Sequence, residues 1–200
     1  MIQLTQVHAT DIEFLKFIER IYTESFPPDE RRDFSDVIRL LEENDDFFIV
    51  LLSDENKAVG FISYWEWNDF SYVEHFAVDS SCRGSGYGAT AMTELLKRIN
   101  NPAVLEVEKP LDDISQRRIR FYERLGFVLF MVIVRCHCIG TIHIHITPIL
   151  QISKTTAYNH YYTDYQTDKP PFFHLLAPLY PCIIIQVYDS TAYFSIQLYL

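Results

Sequence analysis

Arg83-Gly84-Ser85-Gly86-Tyr87-Gly88-Ala89 places three glycines at alternate positions behind an arginine, directly before a run of good helix formers that continues to Lys97. Glycine permits a tight turn and leaves backbone N–H groups facing outward with no Cβ in the way. Together with the positive end of a helix dipole, such amides make a site for a phosphate or pyrophosphate. Just upstream, Ser71–Val78 alternates in character: Tyr72, Glu74 and Phe76 are expected on one face of a strand and Val73, His75 and Ala77 on the other. Glu74 and His75, both able to move protons, thus occupy adjacent positions of the strand that feeds the loop. Strict alternation lets only one of them face a cleft.

Three phosphate ligands compete for the glycines. A nucleoside triphosphate loop needs Gly-x-x-x-x-Gly-Lys-Ser/Thr, and no such run is present. A dinucleotide loop, Gly-x-Gly-x-x-Ala, is literally matched by Gly84, Gly86 and Ala89, with Glu106 placed about 20 residues on as a ribose-binding acid. In that fold, however, the first glycine follows its strand at once, whereas Asp79–Arg83 intervene here, and the repeated βαβ units are missing. The third pattern is Arg/Gln-x-x-Gly-x-Gly/Ala, satisfied by Arg83, Gly86 and Gly88 after a strand ending Phe76-Ala77-Val78.

That third pattern resembles the acetyl-CoA loop of the GCN5-related N-acetyltransferase (GNAT) family. A second stretch agrees: Tyr122-Glu123-Arg124-Leu125-Gly126-Phe127 is similar to the family's Tyr-Glu-x-x-Gly-Phe element at the end of its last helix. Two motifs in the right order are far more specific than either alone. The resemblance covers about residues 1–130. It implies an α/β protein of the acyl-CoA N-acyltransferase (GNAT) fold, a mixed central sheet flanked by helices, that moves an acetyl group from acetyl-CoA to a primary amine of a small molecule or peptide. The alternatives are an acetyl-CoA-binding module with little or no turnover and, more distantly, a dinucleotide-binding oxidoreductase.

By the same resemblance, the amides of Arg83, Gly84, Ser85, Gly86, Tyr87, Gly88 and Ala89 would take the pyrophosphate of acetyl-CoA. Backbone groups of Phe76, Ala77 and Val78 would hold the pantetheine arm and polarise the thioester carbonyl. Tyr122 stands where the family has a tyrosine taken as general acid for the leaving thiolate; a phenol of reference pKa about 10 keeps its proton at neutral pH. Glu74 stands where many relatives deprotonate the amine, with His75 and Glu108 in reserve. Ser115 occupies the position at which the family often carries a cofactor-contacting Asn.

These residues need elements to position them. Ile2–His8 alternates as a strand, and Thr10-Asp11 offers a cap to a helix bearing Phe14, Leu15, Phe17, Ile18 and Ile21, stopped by Pro27-Pro28. The charged turn that follows, Asp29-Glu30-Arg31-Arg32, lies where the resembled family lines its acceptor site. Ser35 or Asp33 caps a second helix with Val37, Ile38, Leu40 and Leu41. Strands at 46–52 and 58–67, joined by a polar loop at 53–57, and the strand at 71–78 are linked by short turns and must be antiparallel. A helix at 86–99 then returns to a strand at 103–108, a right-handed crossover to a parallel neighbour. A last helix starts at Asp112-Asp113, with Ile119, Tyr122 and Leu125 on its apolar face and Gly126 at its C-terminus.

The chain has 200 residues, 48% of them hydrophobic and 15% aromatic, which suits one folded domain rather than a disordered chain. A formal charge of -10 makes nucleic acid a poor partner and an amine a better one. No secretion signal or long apolar run is visible, so a cytoplasmic protein outside the membrane is expected, with a homodimer left open. Its four cysteines are expected as free thiols.

After Phe130 the composition changes. Residues 131–200 contain only Arg135, Lys154 and Lys169 as strong bases and Asp164, Asp168 and Asp189 as acids, while Ile, Tyr, Thr and His become dense. We expect 1–130 to be the acetyltransferase domain, completed by a strand within 131–150, and 151–200 to be an atypical β-rich or irregular C-terminal segment. Its skew also reads like an out-of-frame terminus, and few-charge apolar stretches of this kind are hazardous as edge strands. Cys136, Cys138, His143 and His145 could meet as an S2N2 zinc site across a hairpin, but the spacing is not that of a familiar finger, and no metal is expected.

Overall fold

The structure, a computed structural model of the chain, describes residues 2–108, 110–137, 141–148 and 182–189, with side chains through residue 129. It divides into two compact units, 1–103 and 104–200. None of its described helices is long and apolar enough to cross a membrane.

In the first unit, β1 (Gln3–Val7), β2 (Phe47–Asp54), β3 (Lys57–Glu66) and β4 (Ser71–Val78) pair in that order, each antiparallel to the next. Between β1 and β2 come α1 (Ile12–Ser25), a 3-10 turn (Pro28–Glu30) and α2 (Phe34–Glu43). Leu15, Ile18, Ile21 and Tyr22 recur along α1 at helical spacing and are buried with Phe34 and Val37 of α2 against Phe47, Ile49, Leu51, Phe61, Trp65 and Ala77 of the sheet. The alternate sheet residues Val50, Leu52, Ile62 and Tyr64 are buried on the opposite side, and α3 (Tyr87–Arg98) lies against β1 and β4.

The two expected helix caps differ in detail. Asp11 and Asp33 hold the N-cap positions, but neither side chain caps its helix; the Asp11 carboxylate instead accepts from the His8 N–H at 2.8 Å. The β2–β3 connection is also tighter than the polar run 53–57 suggests. Asp54 pairs with Lys57, and only Glu55 and Asn56 turn the chain, at φ 48° and 67°. Two successive left-handed residues are what a two-residue hairpin turn of type I′ requires.

The largest departure from expectation lies in β4. Across the β3–β4 ladder Tyr64 faces Val73 and Ser63 faces His75, so Glu74 is an extra residue, a β-bulge. One extra residue reverses the alternation on one side of it. Tyr72, paired with Trp65, therefore shares the α1–α2 face with Ala77, and the expected grouping of Tyr72 with Phe76 does not hold. Close by, β3 approaches β4 at Gly60, where a Cβ would lie 2.4 Å from the Ala77 carbonyl oxygen and 3.1 Å from the Val78 Cα.

β5 (Ala103–Glu106) is shorter than the expected 103–108 and crosses from the first unit into the second. In the second unit α4 (Asp113–Arg124) starts at a reciprocal capping box between Asp112 and Ser115 and ends at Gly126, whose φ of 92° and N–H to Glu123 O bond close the last turn. β6 (Val128–His137) runs through Phe130, where the composition changes, and pairs antiparallel with β7 (Thr141–Pro148) and parallel with β8 (Cys182–Asp189). Cys136 stands opposite Ile142, whereas His143 and His145 stand opposite Arg135 and Ile133. That register puts Cys136 one position out of step with both histidines. Cys138 and most of the segment 151–200 lie outside the described residues.

Candidate functional site

The bulge turns two neighbouring side chains of β4 towards the α1–α2 connection. Glu74 meets the Arg32 guanidinium through Oε1 and accepts from the Trp65 indole N–H at 3.3 Å through Oε2. His75, expected on the far face, approaches the same Oε2 to within 3.8 Å through Nδ1. Alternation fails here because the two residues straddle the irregularity in the ladder.

His75 has a fixed proton. Its Nε2 lies 3.2 Å from the Glu30 carbonyl oxygen, which can only accept, so Nε2 carries the hydrogen and Nδ1 accepts from the Ser63 hydroxyl at 3.3 Å. The ring is buried edge-on to Tyr22 and Phe26, and this burial pushes its pKa below the ordinary histidine value, with Glu74 opposing. His75 is thus a neutral strut between β4 and the 3-10 turn. The Arg32 backbone N–H donates to the Tyr22 hydroxyl at 2.9 Å, and Arg31 Nε donates to the Phe26 carbonyl at 3.0 Å. The turn is held from three sides.

At the end of β4, Asp79 accepts from the Ser81 N–H (2.9 Å), the Ser81 hydroxyl (2.7 Å) and the Arg20 guanidinium of α1 (2.5 Å). The Arg20 bond first, then Ser81, hold its pKa well below the usual carboxylate range. Asp79 also fixes strand polarity, because its N–H donates to Val59 O at 2.8 Å. By alternation the Ala77 N–H likewise points to β3, and those of Phe76 and Val78 point away from it. Arg83 folds back so that Nε donates to the Val78 carbonyl at 3.1 Å; its side chain closes the turn.

Beyond Arg83 the backbone is bare. Gly84 and Gly86 adopt φ 83° and 80°, and among the described residues nothing lies within 4 Å of where their Cβ atoms would be. Gly86 is the N-cap of α3 and has no side chain to cap it. Among the described residues, no amide from Gly84 to Ala89 donates to a protein acceptor; the first helical bond is Thr90 N–H to Gly86 O at 3.2 Å. Tyr87, at the first helical position, anchors this end by donating to Asp54 Oδ2 at 3.0 Å. A row of six amides at a helix N-terminus, the first three on exposed residues, fits a pyrophosphate.

Tyr122, Glu108 and Ser115 belong to the second unit. Tyr122 is buried edge-on to Phe127, and burial pushes its pKa up to about 12, with Arg118 opposing and Glu108 adding slightly. Glu108 pairs with Arg118. The Ser115 hydroxyl is engaged with Asp112, donating to its carboxylate at 2.8 Å and accepting from its N–H at 3.2 Å. Sequence patterns mark the glycine row as a turn entering a helix, which the structure has at Gly84–Tyr87. They miss Arg32 as the partner of Glu74, since a contact 42 residues apart leaves no local trace, though the crowding of charge after Pro28 marks the turn that carries it.

A family model described as the acetyltransferase (GNAT) family matches residues 14–127. Among solved structures, a GNAT-family protein from Bacteroides thetaiotaomicron is similar at 34% identity, covering 65% of this chain and 72% of its own, with a TM-score of 0.60. A GNAT-family protein from Desulfovibrio desulfuricans (16% identity, 66% and 89% covered, TM-score 0.52) and the ribosomal-protein-S18-alanine N-acetyltransferase of Escherichia coli (20% identity, 79% and 100% covered, TM-score 0.50) share the fold. Among proteins of curated function, none matches.

Proposed function

Since the chain belongs to the GNAT acetyltransferase family and has its fold, a mixed sheet flanked by helices, we propose that it transfers an acetyl group from acetyl-CoA to a primary amine of a small molecule or peptide. The observation that carries this reading is the row of amides from Gly84 to Ala89 that have no acceptor among the described residues, with Gly84 and Gly86 in the left-handed region.

Acetyl-CoA supplies an acetyl thioester; transfer forms an N–C bond, breaks the C–S bond, removes a proton from the amine and returns one to sulfur. The amides of Gly84–Ala89 hold the pyrophosphate, with Tyr87 fixed to Asp54 so that the helix end does not yield. Backbone groups on the side of β4 facing away from β3, at Phe76 and Val78, orient the thioester and polarise its carbonyl. Glu74 accepts the amine's proton, directly or through water, from a position set by the bulge. Tyr122, which burial keeps protonated at neutral pH, is assigned by the family resemblance alone as the hydrogen-bond donor to the leaving thiolate.

Equilibrium binding of acetyl-CoA to the full chain, with NADH as the control, tests the loop. Selective acetyl-CoA binding that drops at least about tenfold in Gly86→Val supports the assignment, since a β-branched residue is strained at φ 80°. No binding of acetyl-CoA, or NADH bound as well, overturns it.

A further inference from the structure

If the chain is an acetyltransferase as proposed above, the surroundings of Glu74 bear on what the acceptor must carry besides its amine. Both oxygens of Glu74 are already engaged, Oε1 by Arg32 Nη1 and Oε2 by the Trp65 indole N–H. The pair is half enclosed, with 13% of the Glu74 side chain and 30% of the Arg32 side chain exposed. Arg32 cannot leave by moving its backbone, which Tyr22 grips and whose flanking residues His75 and Phe26 hold. An acceptor amine approaches Glu74 as a cation and thus enters beside a fixed guanidinium. A simple cationic amine would suffer that like charge and would draw the carboxylate away from Arg32, leaving a partly buried charge without its counter-ion.

The guanidinium itself indicates the remedy. Arg32 uses only Nη1; among the described residues Nε and Nη2 donate to nothing. Those two parallel N–H groups form the fork that a carboxylate accepts in bidentate fashion, and a guanidinium keeps this geometry in a way that an ammonium does not. An acceptor with its own anion a few bonds from the amine brings no net charge into the site. Its amine meets Glu74, its anion meets the open edge of Arg32, and the existing ion pair becomes a four-membered alternation of charge. We propose that the acceptor is a zwitterionic amine, with a carboxylate close to the reacting nitrogen, and that Arg32 is the residue that selects for it. The overall acidity of the chain would favour plain cations; the Arg32 guanidinium beside Glu74 reverses that preference locally.

The test uses the full chain and acetyl-CoA, following thiol release with a set of α-amino acids and their matched α-amino amides, compounds that differ only in the anion. The expected result is a preference for acids over amides of about tenfold or more in kcat/KM, expressed mainly in KM. Arg32→Gln should abolish the preference and Arg32→Lys should keep part of it. Acetyl-CoA affinity measured on both variants reports that they are folded, because the glycine row does not involve Arg32. Amides accepted as well as acids by the unaltered chain, or no amino acid accepted by a chain that binds acetyl-CoA, would overturn the proposal. Failure of acetyl-CoA binding would instead remove the acetyltransferase reading on which it rests.

Discussion

Tyr122 illustrates how environment narrows a residue's role. Burial pushes its pKa up to about 12, well above an ordinary thiol near 8.5, so complete transfer of its proton to a thiolate is uphill. A hydrogen bond donated to the developing negative sulfur needs no such transfer. In the proposed reaction Tyr122 would therefore stabilise the leaving group as a donor, with water completing the protonation. Tyr122→Phe is expected to lower kcat by about 10²-fold, the lower end of general-acid effects, with acetyl-CoA affinity within a few-fold of the parent. Single-turnover rates and equilibrium binding on the same samples check this; an unchanged rate removes Tyr122 from the mechanism.

Elements were legible in the sequence wherever one period governed them. The apolar spacing of α1 and α2, the strand at Ser71–Val78 and the start of α3 beside the glycines were all readable, because burial on one face imposes a repeat on the residues themselves. The bulge was not. A single unpaired residue reverses which side chains share a face while leaving the local composition ordinary, so Glu74 and His75 looked mutually exclusive and are in fact neighbours on one side. Gly60 shows the same limit: nothing around it in sequence reveals that β3 needs its hydrogen in place of a Cβ. Because the obstructing atoms are the Ala77 carbonyl and the Val78 Cα, neither of which can rotate away, Gly60→Ala should destabilise the chain by about 1–3 kcal/mol. Denaturant unfolding measures that loss, and a variant as stable as the parent would mean that β4 shifts at little cost.

At the scale of the whole molecule the two buried struts give stability a stepped dependence on acid. His75 is held neutral, with its pKa below the ordinary 6.5, so the unfolded chain takes up its proton first as pH falls; stability is intact above about 6.5 and declines from there down to the folded-state value. Asp79 is also depressed, and its contribution is present above about 3.9 and is lost as pH falls further, through its folded-state value. Urea midpoints across pH 7 to 3 should show the first decline and the onset of the second. His75→Gln should flatten the first and Asp79→Asn the second. An unchanged first decline in the histidine variant would move the proton uptake elsewhere. Composition was a weaker guide at this scale. The loss of charge after Phe130 looks like a domain border, yet β6 runs straight through it, since a strand's backbone pairing does not depend on how many of its neighbours are charged.

The extra residue in β4 also sets fitness and robustness against each other. Deleting position 74 would bring Val73 and His75 into consecutive pairing with Tyr64 and Ser63 and leave an uninterrupted ladder, a sheet that on general grounds is the easier one to form. A library of this gene screened only for heat tolerance or soluble yield would therefore be free to discard the irregularity. With Glu74 as the proposed base, the same library screened for turnover is expected to keep it, and the frequency of one-codon deletions at this position would then record which of the two pressures had been applied.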